Sequence, residues 1–533
     1  MNRPIPNDPI TDQECDPVID EISTSHISKA EIRTAIKKMK NGKSGGKDNI
    51  TVELLKADID VSEECLEDLF KTIWDTEEVP KSWKQGLIVK IPKKGDLTDC
   101  GNWRGITLTS VPSKVFGRVL IDRIRDGVDS KLREEQAGFR RGRSTVEQIF
   151  ILRNIVEQVA EWQSTLYITF VDFEKAFDSV HRESLWKIMA SYGIPSKLIR
   201  MVKILYKDSE CAVLDEGVES EWFKVKTGVK QGDVMSGFIF LLVVDWIMRR
   251  TTEGSNTGIR WKFMSKLEDL DFADDIALLS STYQHMQLKA TRLNENAAKT
   301  GLKINKKKTE VLRINSKCNN RVQIGDQQLN EVNKYTYLGA TVNERGGGEE
   351  DIGNRICKAR TSFMKLKKIW GSNIYSLKTK VRLFNALVKS VLLYGCEAWK
   401  INEADNRRMD TFMFKCYRRI LKIRWPYVIS NDEILKRTKQ RRISEEVKIR
   451  RWKWIGHVYR MKDDSHCITA MTWKPEGRRK VGRPRTTWRR TVEKERKELG
   501  WRTWNEAKHV AKNRGNWRDC TAALWATRPE EDR

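Results

Sequence analysis

Leu267-Glu268-Asp269-Leu270-Asp271-Phe272-Ala273-Asp274-Asp275-Ile276-Ala277-Leu278-Leu279 sets two adjacent carboxylates between apolar, β-prone runs, the pattern of a hairpin with the acidic pair at its tip. Consecutive strand side chains point to opposite faces, so an Asp-Asp pair converges on one site only where a turn redirects it. Alone, such a pair reads as a solvated turn. Between strands of buried character, two unpaired like charges are costly unless a cation compensates them. A second β-prone run, Leu166-Tyr167-Ile168-Thr169-Phe170-Val171, closes on Asp172. Asp172, Asp274 and Asp275 are therefore the expected catalytic residues and metal ligands. Magnesium takes octahedral oxygen coordination with one or two protein carboxylates plus substrate phosphates, and paired ions can activate an attacking hydroxyl and stabilise a leaving oxygen. Two Mg²⁺ ions, with Mn²⁺ as substitute, are the expected cofactors. Asp178 and Asp269 read instead as a helix cap and a strand-end residue.

The 533 residues are 39% hydrophobic, enough for a sizeable core and several subdomains. Lys and Arg number 100 against 73 acidic residues, a net charge of +27, which points to a polyanionic partner, nucleic acid first. The apolar stretch from Phe238 to Val244 ends at Asp245, far short of a membrane span. The prolines and acids of Met1 to Pro9 exclude a signal peptide, so a nuclear and cytoplasmic location is expected, without membrane contact. The ten cysteines are scattered singly and read as reduced thiols.

Residues 1–26 mix Pro, Asp and Glu without period, the character of a linker or truncated boundary. Ile32, Ile36 and Met39 then share a helix face that Asn41-Gly42 ends. Gly42-Lys43-Ser44 is no phosphate-cradling loop, because Lys37 stands where its first glycine would be. The run Leu87 to Ile91 reads as a strand, and Val322 with Ile324 before Gly325-Asp326 as a hairpin. Beyond Gly348 the apolar residues fall at helical spacing: Ile356, Ala359, Phe363, Leu366 and Ile369, then Leu377, Val381, Phe384 and Val388. Past Pro426 the chain is basic and Trp-rich, with Trp452, Trp454, Trp473, Trp488, Trp501, Trp504, Trp517 and Trp525, and is expected to form a separate module.

The order of motifs over residues 30–400 resembles the reverse transcriptase of non-LTR, LINE-like retrotransposons. It rests on Pro92-Lys93-Lys94-Gly95-Asp96 with Asn102-Trp103-Arg104, Gln136-Ala137-Gly138-Phe139-Arg140, Asp172-Phe173-Glu174-Lys175-Ala176-Phe177-Asp178, Gly228-Val229-Lys230-Gln231-Gly232-Asp233, Phe272-Ala273-Asp274-Asp275, Gly301-Leu302-Lys303-Ile304-Asn305 with Lys308-Thr309, and Tyr337-Leu338-Gly339. The resemblance implies an α+β right-hand polymerase: fingers over 27–150, palm over 151–345, thumb over 346–425, and a mostly helical, basic, nucleic-acid-binding module over 426–533. It implies an RNA-directed DNA polymerase that copies retroelement RNA by two-metal-ion nucleotidyl transfer, with RNA template, DNA primer, target DNA and dNTPs as partners. Lys93, Lys94 and Arg104 would hold the triphosphate, Phe177 would exclude a ribose 2′-hydroxyl, Gln231 and Gly232 would lie against the templating base pair, and Lys308 would donate a proton to the leaving pyrophosphate. The bland readings are a core aromatic for Phe177, a helix-start loop for Gln231-Gly232 and a solvated basic loop for the finger cations. Where the family commonly has proline after Met235-Ser236, this chain has Gly237. The resemblance would place an endonuclease domain before these motifs, and since this sequence does not include one, target nicking is expected from a separate endonuclease on another polypeptide, or the sequence is a truncated gene model. The alternative is a catalytically inactive retroelement remnant that only binds nucleic acid.

Arg478, Arg479, Lys480, Arg483 and Arg485 crowd around Gly482-Arg483-Pro484-Arg485, which resembles an AT-hook that slides into a narrow A·T minor groove. A generic basic segment, serving nuclear import or RNA contact, is the competing reading. Neither reading dispenses with nucleic acid. His457, His466 and Cys467 do not form a zinc set.

Overall fold

The centre of the fold is a sheet in the order Asn330–Glu331, Glu310–Ile314, Leu166–Val171, Asp275–Ser280, Asp269–Phe272. Every pair in it is antiparallel except the outermost, where Glu310–Ile314 runs parallel to Asn330–Glu331. The computed structural model describes residues 2–11, 22–93, 95–479 and 481–523. Leu166–Val171 is buried along its whole length, which explains a β-branched and aromatic run with no polar alternation. Its period of two divides it between two cores. Tyr167 and Val171, with Ile276, Leu278 and Val311, face one core. Leu166, Ile168 and Phe170, with Ala277, Leu279, Leu312 and Ile314, face the other.

The first core is closed by helices Ser236–Thr252 and Tyr283–Lys299. Asp245, which interrupts the apolar run, is fully buried on Ser236–Thr252 because three donors satisfy it. The Tyr192 hydroxyl donates at 2.5 Å, the Arg133 backbone N–H at 3.0 Å and the Arg249 guanidinium at 3.3 Å. No helix among the described residues is long and apolar enough to cross a membrane.

Before the central sheet, a second sheet is built on the antiparallel pair Gln85–Pro92 and Trp103–Leu108, with Glu210–Asp215 parallel to the former. This is the strand expected at Leu87 to Ile91. Helix Lys29–Lys38 starts at a capping box of Ser28 and Glu31, and Gly42 just beyond it adopts φ +70°. The hairpin expected around Gly325-Asp326 pairs Gln323–Ile324 with Gln327–Gln328.

The helices that begin at Gly348–Lys365 enclose a third core, with Phe363, Phe384, Trp399 and Tyr417 at its middle. That core draws in Ile434, Ile443 and Val447, past residue 425, because the change in surface charge there does not interrupt burial. The tryptophan-rich segment shares the second core of the central sheet: Trp452, Trp454, Trp473, Trp488, Trp501 and Trp517 pack with Phe150, Ile168 and Leu270. Four of the indole N–H groups, those of Trp452, Trp473, Trp488 and Trp517, find oxygen acceptors, whereas that of Trp454 is buried without one. Trp488 donates to the Glu397 carbonyl at 2.8 Å, Trp473 to the Arg260 carbonyl at 2.7 Å and Trp517 to the Trp452 carbonyl at 2.9 Å. A Cβ on Gly456 would fall 2.0 Å from the Trp517 indole nitrogen, so a glycine is required there. Trp525 lies outside the described residues.

Arg451 is fully buried and paired with Glu495, whose other oxygen accepts the Trp452 indole N–H at 2.9 Å. Removing one member of such a pair leaves the other charge without a partner in a dry site. Glu495→Ala is expected to cost about 3–5 kcal/mol, read as a lower urea midpoint with the m-value unchanged.

Candidate active site

A two-residue turn, Ala273-Asp274, joins Asp269–Phe272 to Asp275–Ser280, with Phe272 opposite Asp275. Ala273 has φ +59°, the positive value that the twist of a tight hairpin demands at its first turn position. On the other side Ile276 pairs with Val171, so Asp172, one residue further along, comes alongside Asp275. Opposed residues of an antiparallel pair share a face. The face of Asp172 and Asp275 is also that of Phe170, on which the Tyr335 ring stacks at 4.0 Å.

The carboxylates feel one another. Burial, then repulsion from Asp274 and Asp172, pushes Asp275 up to about 6. Asp274 is raised by burial and by Asp172, with partial relief from its own backbone N–H and from Arg104. Asp172 is raised by burial, against the pull of Lys308, of a hydrogen bond from the Asn305 side chain and of Lys93. Asp274 and Asp275 remain exposed, so the neighbouring atoms that raise them leave the carboxylates open to solvent. The Tyr335 phenol is pushed up to about 12 by burial first and then by Asp275 and Asp172.

Asp172, Asp274 and Asp275 lie at neighbouring strand ends, and their carboxylates are not closed into a cage. Among the described residues no three His, Cys, Asp or Glu side chains gather as one. Repulsion among unneutralised carboxylates gives the physical reason. The donor set still fits a hard divalent cation: oxygen ligands only, open to solvent, with raised pKa values that a positive charge would reverse.

Arg104 lies on Trp103–Leu108 and Lys93 follows Gln85–Pro92, so the second sheet brings both cations within electrostatic reach of the aspartates. Lys94 lies outside the described residues. Lys308 Nζ stands 3.9 Å from Asp172 Oδ2 on a largely exposed side chain. Its segment wraps the end of the central strand: the Asn305 N–H donates to the Asp172 carbonyl at 2.7 Å, and Thr309 Oγ1 accepts the Asp172 N–H at 3.3 Å. Phe177 is half-buried, with its ring stacked on Phe240 at 4.5 Å. The Gln231 carbonyl accepts the Thr107 N–H at 2.7 Å. Gly232 has φ +111°, and a Cβ there would fall 2.8 Å from Ile106 Cγ2, so the close approach it permits is to strand Trp103–Leu108. Gly237 makes room for Phe139, whose ring atoms lie 2.8 Å from where a Cβ would stand.

The basic segment is elsewhere. Arg483 and Arg485 line an open cleft of about 730 Å³ shared with Ile314 and Asn315, at the Leu166 end of the sheet. Asp172 ends the same strand roughly 20 Å away at ~3.3 Å per residue. Arg478, Arg483 and Arg485 are exposed, whereas Arg479 pairs with Glu161 at 3.1 Å and lies over Trp162. Lys480 lies outside the described residues.

Sequence reading assigned no role to the residue that fixes the hairpin tip. Gln136 is fully buried, and its Oε1 accepts the N–H of Ala273 at 2.9 Å and of Gly138 at 2.8 Å. Its backbone makes an isolated parallel bridge to Asp271, and the Ala137 N–H donates to the Asp271 carbonyl at 2.9 Å. A Cβ on Gly138 would fall 2.2 Å from the Ala273 nitrogen. Behind the tip, the Arg133 guanidinium pairs with the buried Asp269 at 2.5 Å and Asp271 at 3.3 Å, which gives Asp269 a structural role.

Residues 91–342 match the family described as reverse transcriptase (RNA-dependent DNA polymerase), and residues 362–394 a domain of unknown function. A Retrovirus-related Pol polyprotein from a type-1 retrotransposable element R2 of Nasonia vitripennis is 27% identical over 53% of this chain and 28% of its own length. The RNA-directed DNA polymerase from mobile element jockey of Drosophila melanogaster is 24% identical over 76% of this chain and 45% of its own. An uncharacterized transposon-derived protein of Caenorhabditis elegans is 31% identical over 43% of this chain and 85% of its own length. The chain belongs to the non-LTR retrotransposon reverse transcriptases. The chain spans under half the length of the R2 and jockey relatives. Its fold also aligns with apo telomerase from Candida tropicalis, at 14% identity over 76% of this chain and 74% of that one, with a TM-score of 0.40.

Gln136→Leu fills the same space without an acceptor and leaves the Ala273 N–H unpaired. A stability loss of about 1–3 kcal/mol is expected, with nucleotide incorporation falling more than template binding, as measured by urea unfolding and single-turnover primer extension.

Proposed function

We propose that this reverse transcriptase is an active RNA-directed DNA polymerase that copies retroelement RNA from a DNA primer, with dNTPs as substrates and Mg²⁺ as its metal. One observation carries the reading: the strand register sets Asp172 alongside Asp275, with Asp274 at the adjoining turn, inside the span that matches the family. Two ions held by these carboxylates would supply activation of the primer hydroxyl and stabilisation of the leaving oxygen.

The chain's own groups do the rest. Arg104 offers a planar fork and Lys93 a point charge to the triphosphate, each within electrostatic reach of an aspartate it faces. Lys308, beside Asp172, is placed to give a proton to the departing pyrophosphate. Phe177, held against Phe240, restricts the sugar to one without a 2′-hydroxyl. Gln231-Gly232, docked on the finger strand, forms the floor under the templating pair. In this reading the fingers span 27–150, the palm 151–345 and the thumb 346–425, and the remainder binds nucleic acid. Arg478, Arg483 and Arg485, exposed and apart from the carboxylates, contact phosphates of the RNA or of target DNA.

Primer extension on poly(rA)/oligo(dT) tests the assignment: the parent extends, and Asp274→Asn binds template equally but extends at least ~10³-fold more slowly, a loss of about 4 kcal/mol in transition-state stabilisation. Absence of extension by both proteins, with RNA binding retained, would identify an inactive remnant. For the basic segment, Arg483→Ala with Arg485→Ala should flatten the slope of log affinity against log salt by roughly 0.9 per lost duplex phosphate contact, and an unchanged slope in a filter-binding titration would remove these arginines from the interface.

A further inference from the structure

Six large hydrophobic side chains are exposed on two short loops of the thumb helices: Ile374, Tyr375 and Leu377 on one, Trp425, Tyr427 and Val428 on the other. Trp425 is 90% exposed, Ile374 90% and Tyr427 79%, values that packing does not produce by accident in large side chains. The loops adjoin, because the Lys422 ammonium donates to the Asn373 side-chain oxygen between them. A turn closed by the Tyr427 N–H on the Arg424 carbonyl at 2.9 Å holds Trp425 at its crest.

The surroundings are predominantly basic, with Asp432 and Glu433 in the first turn of the following helix as the nearest acids in sequence. Lys367, Lys368, Lys378, Lys422 and Arg424 are exposed around the loops. Residues 352–396 and 411–431, which supply the whole patch, contain no Asp or Glu. A second copy of this chain would bring like charge against like. A polyanion with flat apolar faces is complementary on both counts, since its phosphates meet the lysines and its bases stack on the aromatic rings. In a duplex those faces are already stacked on neighbouring bases, so an indole standing free of the surface has only unpaired bases to receive.

We propose that the Trp425 and Tyr427 loop, with Ile374 and Tyr375 beside it, is a binding site for an unpaired nucleic-acid strand, separate from the carboxylate groove. Stacking is tolerant of sequence and of sugar, so RNA and DNA single strands share the required chemistry. The site does not depend on the polymerase assignment, because it is measured without metal or dNTP. Fluorescence anisotropy of the full chain with a labelled 15-nucleotide RNA, the same sequence as DNA, and a blunt duplex of that sequence reads it directly.

Trp425→Ala should weaken binding of one or both single strands about tenfold, Trp425→Phe should retain most of the affinity, and duplex binding should shift by less than about twofold. Whichever of RNA and DNA loses more identifies the strand taken. A 5-iodouridine strand irradiated on the parent protein should crosslink within residues 422–428. These side chains are exposed, so the variants keep their fold, which an unchanged melting temperature checks. Equal loss on duplex and single strand overturns the proposal, as do crosslinks found only elsewhere. Unchanged nucleic-acid affinity, with binding to anionic phosphatidylserine vesicles lost instead, would mark the patch as a membrane contact and overturn it as well.

Discussion

The Ala273 N–H, received by the carboxamide of Gln136, is the hydrogen bond on which the candidate site depends. Two consecutive carboxylates can serve one groove only if the backbone between the strands turns sharply, and a sharp turn with a left-handed alanine is strained unless its surroundings fix it. Gln136 fixes it from a buried position. Gly138 lets that backbone come within contact distance, and Arg133 anchors the same hairpin from behind by pairing with Asp269 and Asp271. The exposed acids are thus mounted on a turn whose Ala273 N–H is received by Gln136 and whose strand is held from behind by Arg133.

That mounting requires a rigid sheet, and rigidity here comes from covering both faces. The central strand Leu166–Val171 sends alternate side chains into two cores, and the second of these is closed by tryptophans from the far end of the chain. Glu157 illustrates the dependence: it sits on a helix against the sheet, and its carboxylate accepts the Trp488 backbone N–H at 2.8 Å across a long sequence separation. The C-terminal helices therefore bear on the geometry of the carboxylates even though their basic segment lies at the opposite end of the sheet.

The sequence announced some of this clearly and some of it not at all. The strands ending in Asp172 and beginning at Asp275, and the turn between Phe272 and Asp275, were legible because an apolar, β-prone run that stops at an acid fits little besides a buried strand meeting solvent. Gln136 was not, since one glutamine carries no periodic signal and its partner is 137 residues away. The tryptophans were ambiguous for a related reason. Trp452 is fully buried and Trp425 is 90% exposed, yet each stands beside arginine or lysine in a basic stretch. Local composition registers the charge on the surface and not which aromatic the chain folds over. The same limit explains why the helical core runs on to Val447, beyond the point where the composition changes.

The distribution of charge completes the physical picture. A chain of net charge +27 holds at one groove three carboxylates whose proton affinities are raised by burial and by each other. An excess of positive charge at long range draws a polyanion in, but at contact distance those same carboxylates would repel its phosphates. Cations that bridge carboxylate and phosphate remove that conflict, and Lys93, Arg104 and Lys308 stand around the groove where they ease it further. In the proposed function, binding of nucleic acid and binding of metal would for this reason be coupled. Each reduces the electrostatic cost of the other, so the carboxylates are expected to reach their working arrangement only when template, nucleotide and ions are present together.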